Sequence, residues 1–485
     1  MKDSFIITHS SLTGFFLLSV VLFTSKVSFG KEHQNTKVGS DSSKFVIINE
    51  IILSGNKITH PSIILRELRF QKGDSLRLDS LTMVLKTSRE NVFNTSLFNF
   101  VTCDTLHLIG AANKINIIIR VIERWYIWPW PYLVLSDRNF NSWLETMDLG
   151  RFTYGTNVTF YNVWGRNETL IFPVHFGFNQ RYGFTYNIPY INRKETIGIG
   201  FGADYRRNHE VIEQSMDNKP VYYKDDQVYP KQLWDVFFQL LWRPGIYTRQ
   251  TFEIHFYQYH LSDSLLKVPG YSFDNTTNNF HYFSFFYQFR DDHRDIHYYP
   301  LRGYYFDINL LQNGFLGDNV NTLSIMFYLR KYWQLDNRWY FASGLTGKGS
   351  FTSKPVYFLE QALGYGRDYV RGYEYYVVDG QDFIVFKNNL KFALLPQRVK
   401  KLDFLRSTKF NTIPYALYLN LFADLGYAYN ENKISNQFNS LQNTLLIGYG
   451  AGLDFTTYYD IVIRLEFSVN RMGEPGFYLH FVAPI

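Results

Sequence analysis

The sequence predicts a mainly β protein: a transmembrane antiparallel β-barrel preceded by a small domain that mixes helices and strands. Three observations support this fold class. Tyr, Phe and Trp make up 19% of the 485 residues, while the mean hydropathy is slightly negative at −0.20. Apolar and polar residues alternate with period two through most of the chain. After residue 30, no apolar stretch approaches the roughly 20 residues that a membrane-spanning helix needs. Aromatic girdles around a polar lumen account for this combination.

The first 30 residues predict a secretory signal peptide. Lys2 supplies the positive charge, Gly14 to Phe23 form a short apolar run, and Ser28-Phe29-Gly30 places small residues at a cleavage site. The apolar run is too short to cross a bilayer as a helix. Residues 31–43 are polar and lack periodicity, which predicts a flexible leader.

Residues 44–123 predict a separate domain that begins with a strand. Phe45 to Leu53 is rich in β-branched residues and ends at the turn sequence Ser54-Gly55-Asn56. Thr59 is expected to cap a first helix, with Pro61 in its first turn. A second helix and two strands complete the order β-α-α-β-β, and they are expected near residues 78–94, 100–108 and 114–123. The apolar residues that share one face of the two helices are Ile63, Ile64 and Leu68, and Leu78, Leu81, Leu85 and Val92.

The segment at residues 124–131, Arg-Trp-Tyr-Ile-Trp-Pro-Trp-Pro, predicts a stiff connector. Proline has no N–H to donate to a sheet, so a central strand is not expected here. Tryptophan favours the headgroup layer of a membrane, where one ring edge is wet and the rest is buried. We therefore expect a hinge that lies against the mouth of the barrel and also packs between the two domains.

Residues 132–485 alternate with period two and predict the barrel. In the clearest case, residues 461–470, apolar side chains alternate with Arg464, Glu466, Ser468 and Asn470. In a soluble sandwich the apolar face would point into a core. Ionisable groups on the opposite face suit a wet lumen with lipid outside. Counting such segments gives about fourteen to sixteen strands.

Several classes of function are not supported by the sequence. The net charge of +6 is spread along the chain without a basic stripe, so nucleic-acid binding is not expected. The single cysteine, Cys103, excludes an intramolecular disulfide and a cysteine-rich metal site. Neither a Gly-x-Ser-x-Gly elbow nor a His-Glu-x-x-His pair is present. We therefore expect no enzyme activity, no cofactor and no metal site.

The most informative segment is residues 369–383, which contains Val370-Arg371-Gly372-Tyr373. This tetrapeptide resembles the signature of the Omp85 superfamily, outer-membrane barrels of the BamA and TamA type that insert or translocate other proteins. The resemblance implies that the tetrapeptide tips an extracellular loop that folds back into the lumen, where its arginine meets an acid on the wall. The alternative is a surface turn with Gly372 at a positive φ angle.

The resemblance extends over nearly the whole mature chain. Residues 44–123 are similar to a POTRA module, the periplasmic domain in front of Omp85 barrels. The matching POTRA segments are Ser54-Gly55-Asn56, Gly73-Asp74 and Leu97-Phe98-Asn99. The matching barrel segments are residues 162–169, 187–190, 294–295, 299–303, 448–452 and 464–466. The resemblance implies about sixteen barrel strands, and the single module with many aromatic residues resembles the Bacteroidota branch.

The partner of Arg371 is predicted from strand parity. One predicted strand has its lipid face at Leu417, Leu419, Leu421 and Leu425. This places Asn420, Phe422 and Asp424 in the lumen. A buried guanidinium needs a carboxylate, preferably a bidentate one, so Asp424 is the candidate partner. We interpret the pair as a lock for the loop rather than a reacting group. The acids that offer possible substitutes are Asp379, Asp382, Asp454 and Glu466. Some members of the family carry a second acid just after the motif, but the lumen positions here are Lys387, Asn389 and Lys391.

The last predicted strand runs from Gly476 to Ile485 and closes the barrel. Phe477, Leu479 and Phe481 fall on one face and are the candidate C-terminal signal. Many outer-membrane barrels end in an aromatic residue, whereas this sequence ends Ala-Pro-Ile. Phe481 is therefore expected to act in its place.

The expected function is to assist protein insertion or translocation at the bacterial outer membrane, with residues 44–123 in the periplasm. The expected partners are outer-membrane lipids, unfolded or nascent outer-membrane or secreted proteins, and periplasmic or lipoprotein accessory subunits. The alternatives are a passive pore or lipid-handling channel on the same fold, and a surface adhesin with an inert lumen. The POTRA-like module favours protein insertion or translocation over these alternatives, because a simple pore has no use for such a module.

Overall fold

The structure is a computed structural model in which residues 45–108, 113–135, 150, 152–225, 227–268, 277–315, 320–352, 361–407, 409–431, 435–481 and 485 are described. The predicted signal peptide and leader lie outside these residues. Within the described ranges, no helix is long and apolar enough to cross a bilayer.

The N-terminal domain forms because two helices cover one face of a four-stranded sheet. Its elements are β1 (Phe45–Ser54), α1 (Pro61–Leu65), β2 (Ser75–Arg77), α2 (Leu78–Phe93), β3 (Phe98–His107) and β4 (Lys114–Glu123). The strand order is β2-β1-β4-β3, with β1 parallel to β4 and the other pairs antiparallel. Ile48, Ile64 and Ile115 are fully buried in its core. The expected order β-α-α-β-β is present, with the short β2 added between the helices.

Two details of this domain differ from the prediction. Thr59 does not cap α1, because His60 is the N-cap residue and makes no side-chain hydrogen bond to the helix. Thr59 instead donates its hydroxyl to the buried carboxylate of Glu123 at 2.9 Å. The backbone N–H groups of Ile58 and Thr59 donate to the same oxygen at 2.9 and 2.7 Å. Leu78 is half exposed rather than part of the core, because α2 begins at this residue.

The rest of the chain is dominated by one sixteen-stranded antiparallel sheet, which forms the barrel. In chain order, the remaining strands are β5 (Ile127–Leu135), β6 (Phe152–Val163), β7 (Glu168–Gly177), β8 (Gln180–Ile188), β9 (Ile197–Asn208), β10 (Glu210–Met216), β11 (Lys219–Lys224), β12 (Lys231–Trp242), β13 (Thr248–Leu261), β14 (Asn279–Asp292), β15 (Gly303–Asn313), β16 (Thr322–Gln334), β17 (Trp339–Thr352), β18 (Gln361–Leu363), β19 (Val378–Asp379), β20 (Asp382–Lys401), β21 (Thr412–Tyr429), β22 (Leu446–Thr456), β23 (Val462–Asn470) and β24 (Pro475–His480). The short helices are α3 (Asp263–Leu266), α4 (Ser435–Phe438) and a 3-10 turn at Tyr458–Asp460.

Strands that are neighbours in the chain are neighbours in this sheet. The two exceptions are the pairs β10–β11 and β18–β19, which form separate small sheets in the loops. The two end strands of the large sheet are β5 and β24. Among the described residues, no ladder joins them to each other.

The predicted connector at residues 124–131 is wrong from Ile127 onward, whereas residues 124–126 join β4 to β5 as expected. β5 begins at Ile127 and pairs with β6 residue by residue, including at Pro129 and Pro131. An end strand tolerates both prolines, because residues two apart present their N–H positions to the same side of a strand. The missing donors then fall on the side away from β6. The barrel therefore begins at Ile127 rather than at residue 132.

The side chains of the barrel alternate between an exposed outer face and a buried inner face. On β21, Leu419, Leu421 and Leu425 are exposed, while Asn420 and Asp424 are fully buried. β23 shows the same alternation. Since lumen residues are buried here, the interior beside these strands is packed rather than open.

The N-terminal domain contacts the turns at one end of the barrel, which we call the domain-side turns. They are residues 164–167, 189–196, 243–247, 293–302, 402–407, 409–411 and 457–461. Arg124 makes a bidentate pair with Asp460 at 2.7 and 2.8 Å, and Arg243 makes one with Glu67 at 2.7 and 2.8 Å. Burial raises the pKa of Tyr126 to about 12. Its hydroxyl therefore keeps the proton that it donates to the carbonyl oxygen of Leu97 in the N-terminal domain. The domain is thus fixed at the barrel mouth by charged as well as neutral contacts.

Candidate functional site

The Val-Arg-Gly-Tyr motif lies in the loop between β17 and β20, inside the barrel. Val370, Arg371 and Tyr373 are 1%, 0% and 3% exposed. The chain turns at Gly372, whose φ of +93° is strained for a residue with a Cβ atom. The motif is therefore a buried turn rather than a surface turn.

The guanidinium of Arg371 forms a bidentate pair with Asp424 on β21. Nε donates to Oδ2 at 2.7 Å and Nη2 donates to Oδ1 at 2.5 Å, and both side chains are 0% exposed. Nη1 lies 3.4 Å from Oε1 of Glu466 on β23. Glu466, which the sequence offered as a substitute for Asp424, is therefore a second partner of Arg371. The guanidinium carbon lies 3.9 Å from the ring centroid of Phe422. A buried charge with a fork-shaped counter-charge is the strong form of an ion pair.

The other acids considered as substitutes have different partners. Asp379 accepts from two hydroxyl groups of the loops at the far end of the barrel. Asp382 accepts from a backbone N–H of β17 at 2.8 Å. Asp454 accepts from the hydroxyl of Tyr299 at 2.7 Å. Strand parity therefore singled out the acid that the arginine contacts most closely.

Two glycines of the barrel wall make room for the motif. A Cβ atom at Gly448 would overlap the carbonyl oxygen of Arg371, and one at Gly426 would overlap the side chain of Val370. An alanine at either position would force the loop away from the wall. In the glycine-rich run at residues 448–452, Gly448 thus leaves space for the backbone of Arg371.

Val370 and Tyr373 anchor the loop in an apolar cluster. The other buried members of this cluster are Ala362, Leu363, Val378, Phe383, Val385, Ala428, Leu441 and Leu446. The hydroxyl of Tyr373 also accepts from the backbone N–H of Arg471, in the turn between β23 and β24, at 3.3 Å. The loop is consequently attached to the last five strands of the barrel by apolar as well as polar contacts.

Sequence reasoning missed three residues beside the ion pair. Arg464 donates Nη2 to the hydroxyl of Tyr369 at 3.1 Å, and its Nε lies 3.0 Å from Oε1 of Glu466. Glu374 accepts from the N–H of Gly372 at 2.8 Å. Strand parity had already placed Arg464 in the lumen and could have found it. The two loop residues have no periodicity that would reveal which way they face.

The C-terminal strand is shorter than predicted. β24 ends at His480, so Phe481 follows the strand, and most of the remaining segment lies outside the described residues. Phe477, Leu479 and Phe481 are 80%, 54% and 64% exposed. Ile485 is buried against β16 and β17. The prediction of a strand to Ile485 is wrong, because this residue has left the neighbourhood of β23.

Two family descriptions match the chain. The Omp85 superfamily domain matches residues 162–469. The surface antigen variable number repeat, a POTRA domain, matches residues 46–124. No protein among curated sequences matches the chain.

Solved structures of similar fold include three barrels. BamA from Haemophilus ducreyi lacking POTRA domains 1–3 has 14% identity and a TM-score of 0.48, covering 90% of this chain and 83% of that one. CdiB from Acinetobacter baumannii has 14% identity and a TM-score of 0.45, covering 90% and 74%. CdiB from Escherichia coli has 10% identity and a TM-score of 0.43, covering 98% of both chains.

Proposed function

Because the chain belongs to the Omp85 superfamily, we propose that it assists the insertion or translocation of proteins at the bacterial outer membrane. In this proposal the barrel crosses the membrane and the N-terminal domain lies in the periplasm. The clients are unfolded or nascent outer-membrane or secreted proteins, and outer-membrane lipids surround the barrel. Periplasmic or lipoprotein subunits are the proposed accessory partners.

The observation that carries this proposal is the seam between β5 and β24. The large sheet ends at these two strands, and no ladder joins them among the described residues. Pro129 and Pro131 remove two donors from the seam side of β5, and β24 spans only Pro475–His480. A free strand edge is a template for another strand. A client strand can therefore pair at the seam without displacing a strong ladder.

The N-terminal domain supplies a second edge. β3 is an end strand of its sheet, and an extended peptide can add main-chain hydrogen bonds to such a strand. The Arg124–Asp460 pair holds the domain against the domain-side turns. A client bound at β3 would therefore be delivered at a fixed place beside the barrel mouth.

The buried loop disfavours a passive pore. A pore needs an open lumen, whereas the motif loop returns into the barrel and is packed against β20 to β24. Arg371 is held in ion pairs with both Asp424 and Glu466 rather than facing an open cavity. We therefore propose a role without turnover chemistry.

Depletion of the protein in its native host tests this proposal. We expect a defined set of outer-membrane proteins to disappear while the lipid composition and small-solute uptake stay unchanged. Expression of the wild type should restore them, Arg371→Ala should restore them only in part, and Arg120→Ala on the exposed face of the N-terminal domain serves as the matched control. Loss of a lipid or of solute uptake with an intact set of proteins would favour the lipid-handling channel or the pore.

A further inference from the structure

We propose that Glu374, Glu466 and His480 form a binding site for a divalent transition-metal ion of the zinc class. The three ligands come from three elements: the loop just after the motif, β23 and β24. An ion held there would join the loop to the last two strands of the barrel. The proposal does not rest on the proposed function, because binding and thermal unfolding are its readouts.

The three ligand atoms converge on one point. Nε2 of His480 lies 3.7 Å from Oε1 of Glu374 and 3.6 Å from Oε2 of Glu466. All three atoms lie within 4.8 Å of one another. In a tetrahedral site with bonds of about 2.0–2.2 Å, neighbouring ligand atoms are about 3.3–3.6 Å apart. Small rotations of the Glu374 and His480 side chains would close the site and leave the fourth position to water.

All three atoms are buried and lack a hydrogen-bond partner among the residues that the structure describes. The side chain of Glu466 is 0% exposed, so its Oε2 has no access to bulk water. The separations of 3.7 and 3.6 Å between the imidazole and the two carboxylates are too long for a hydrogen bond. An unpartnered buried carboxylate oxygen is costly, and a cation in the gap would remove that cost.

The second oxygen of each carboxylate is held elsewhere, so that the free oxygen points into the gap. Oε2 of Glu374 accepts from the N–H of Gly372 at 2.8 Å. Oε1 of Glu466 lies 3.4 Å from Nη1 of Arg371 and 3.0 Å from Nε of Arg464. Both arginines therefore contact the oxygen that faces away from His480. Their positive charges weaken the binding of a further cation, so a chelator should be able to remove the ion.

The imidazole of His480 is also oriented for binding. Its Nδ1 lies 3.5 Å from the hydroxyl of Tyr369, which itself accepts from Arg464 at 3.1 Å. A proton on Nδ1 facing this hydroxyl leaves the lone pair of Nε2 directed at the two carboxylates. Metal-binding histidines commonly have such a partner on the other ring nitrogen. One imidazole nitrogen with two carboxylate oxygens suits zinc and its neighbours better than calcium or magnesium, which prefer oxygen ligands alone.

The test uses the full mature chain in detergent, purified without a polyhistidine tag and stripped by a chelator. Zinc chloride is titrated by calorimetry, and thermal unfolding is compared with zinc, with calcium and with chelator. We expect one zinc per chain and a melting temperature that zinc raises and calcium does not. Tyr369→Phe should weaken zinc binding about tenfold. Glu374→Gln and His480→Asn should abolish it, while His260→Asn, which removes an exposed imidazole of β13, should not change it.

Three results would overturn the proposal: no zinc binding, no change of melting temperature with zinc, or equal binding by the wild type and His480→Asn. Each would leave these side chains as a polar cluster that holds no ion. If the variants do not fold, X-ray absorption of the wild-type zinc complex identifies the ligands of the bound ion. One imidazole with oxygen ligands supports the site, and two or more imidazoles exclude it.

Discussion

Removing either partner of the Arg371–Asp424 pair should destabilise the barrel by about 3–5 kcal/mol, because the other charge stays buried. Both side chains are 0% exposed. Asp424→Ala leaves Glu466 at 3.4 Å from Nη1 as a remaining acid, so its cost should lie at the lower end of this range. Arg371→Ala removes the group that donates to both oxygens of Asp424, so its cost should lie at the upper end.

The double variant should be no less stable than the worse single variant, since the second truncation removes a charge that the first left unpaired. Arg371→Lys should recover only part of the loss, because an ammonium group cannot donate to both oxygens in the plane of the carboxylate. The matched control is the pair Arg120–Asp104 in the N-terminal domain. It has a contact of 2.5 Å, but its side chains are 56% and 53% exposed. Breaking it should cost about 0–1 kcal/mol.

The measurement is urea unfolding of the barrel in lipid vesicles, with the folded fraction read from heat-modifiable gel migration. For the control pair, the unfolding transition of the N-terminal domain is followed separately. Additive effects of the Arg371 and Asp424 truncations would show that the two side chains do not meet. Losses no larger than those of the exposed pair would show that the pair is solvated, and the loop would then be an exterior turn.

Three further predictions concern other parts of the chain. Residues 44–123 expressed alone should be soluble and unfold cooperatively with a mixed α/β spectrum; an insoluble or disordered product would refute an independent domain. Phe481→Asp should impair membrane insertion more than deletion of residues 482–485, because Phe481 is the exposed aromatic side chain next to the last strand; the reverse order would assign the signal to the final residues. Gly448→Ala should lower the unfolding temperature of the barrel by forcing the motif loop off the wall, whereas Gly349→Ala, where a Cβ atom meets its nearest neighbour at 4.0 Å, should not; equal melting temperatures would contradict the tight fit.

The parts of the fold that follow from backbone periodicity were predictable from the sequence. Successive side chains of a strand point to opposite faces, so the leucines of β21 were sufficient to place Asp424 in the lumen. The same parity placed Arg464 and Glu466 there. The element order of the N-terminal domain was predictable, except for the short β2, because turn residues mark the end of β1 and separate the two helices. Thr59 was misjudged, because its actual partner, Glu123, is distant in sequence.

The errors arose where a residue's role depends on its position in the finished sheet. Pro129 and Pro131 argue against a strand unless that strand lies at the end of its sheet. No local sequence pattern reveals this position. The prediction that the last strand runs to Ile485 failed because Ile485 packs against β16 and β17, far away in sequence. Glu374 lies in a loop without periodicity, so its approach to His480 is a property of the tertiary structure alone.

The attachment of the N-terminal domain has a consequence for the order in which the molecule assembles. Arg124 is 336 residues away from Asp460, which lies in the turn that follows β22. Contacts between such distant residues form late, because the entropy of closing the intervening chain must first be offset. A chain arrested before β22 therefore carries its N-terminal domain without this ion pair, attached only through the earlier domain-side turns. The pair needs the turn between β22 and β23 in place, so its presence marks a molecule in which that turn has reached the N-terminal domain.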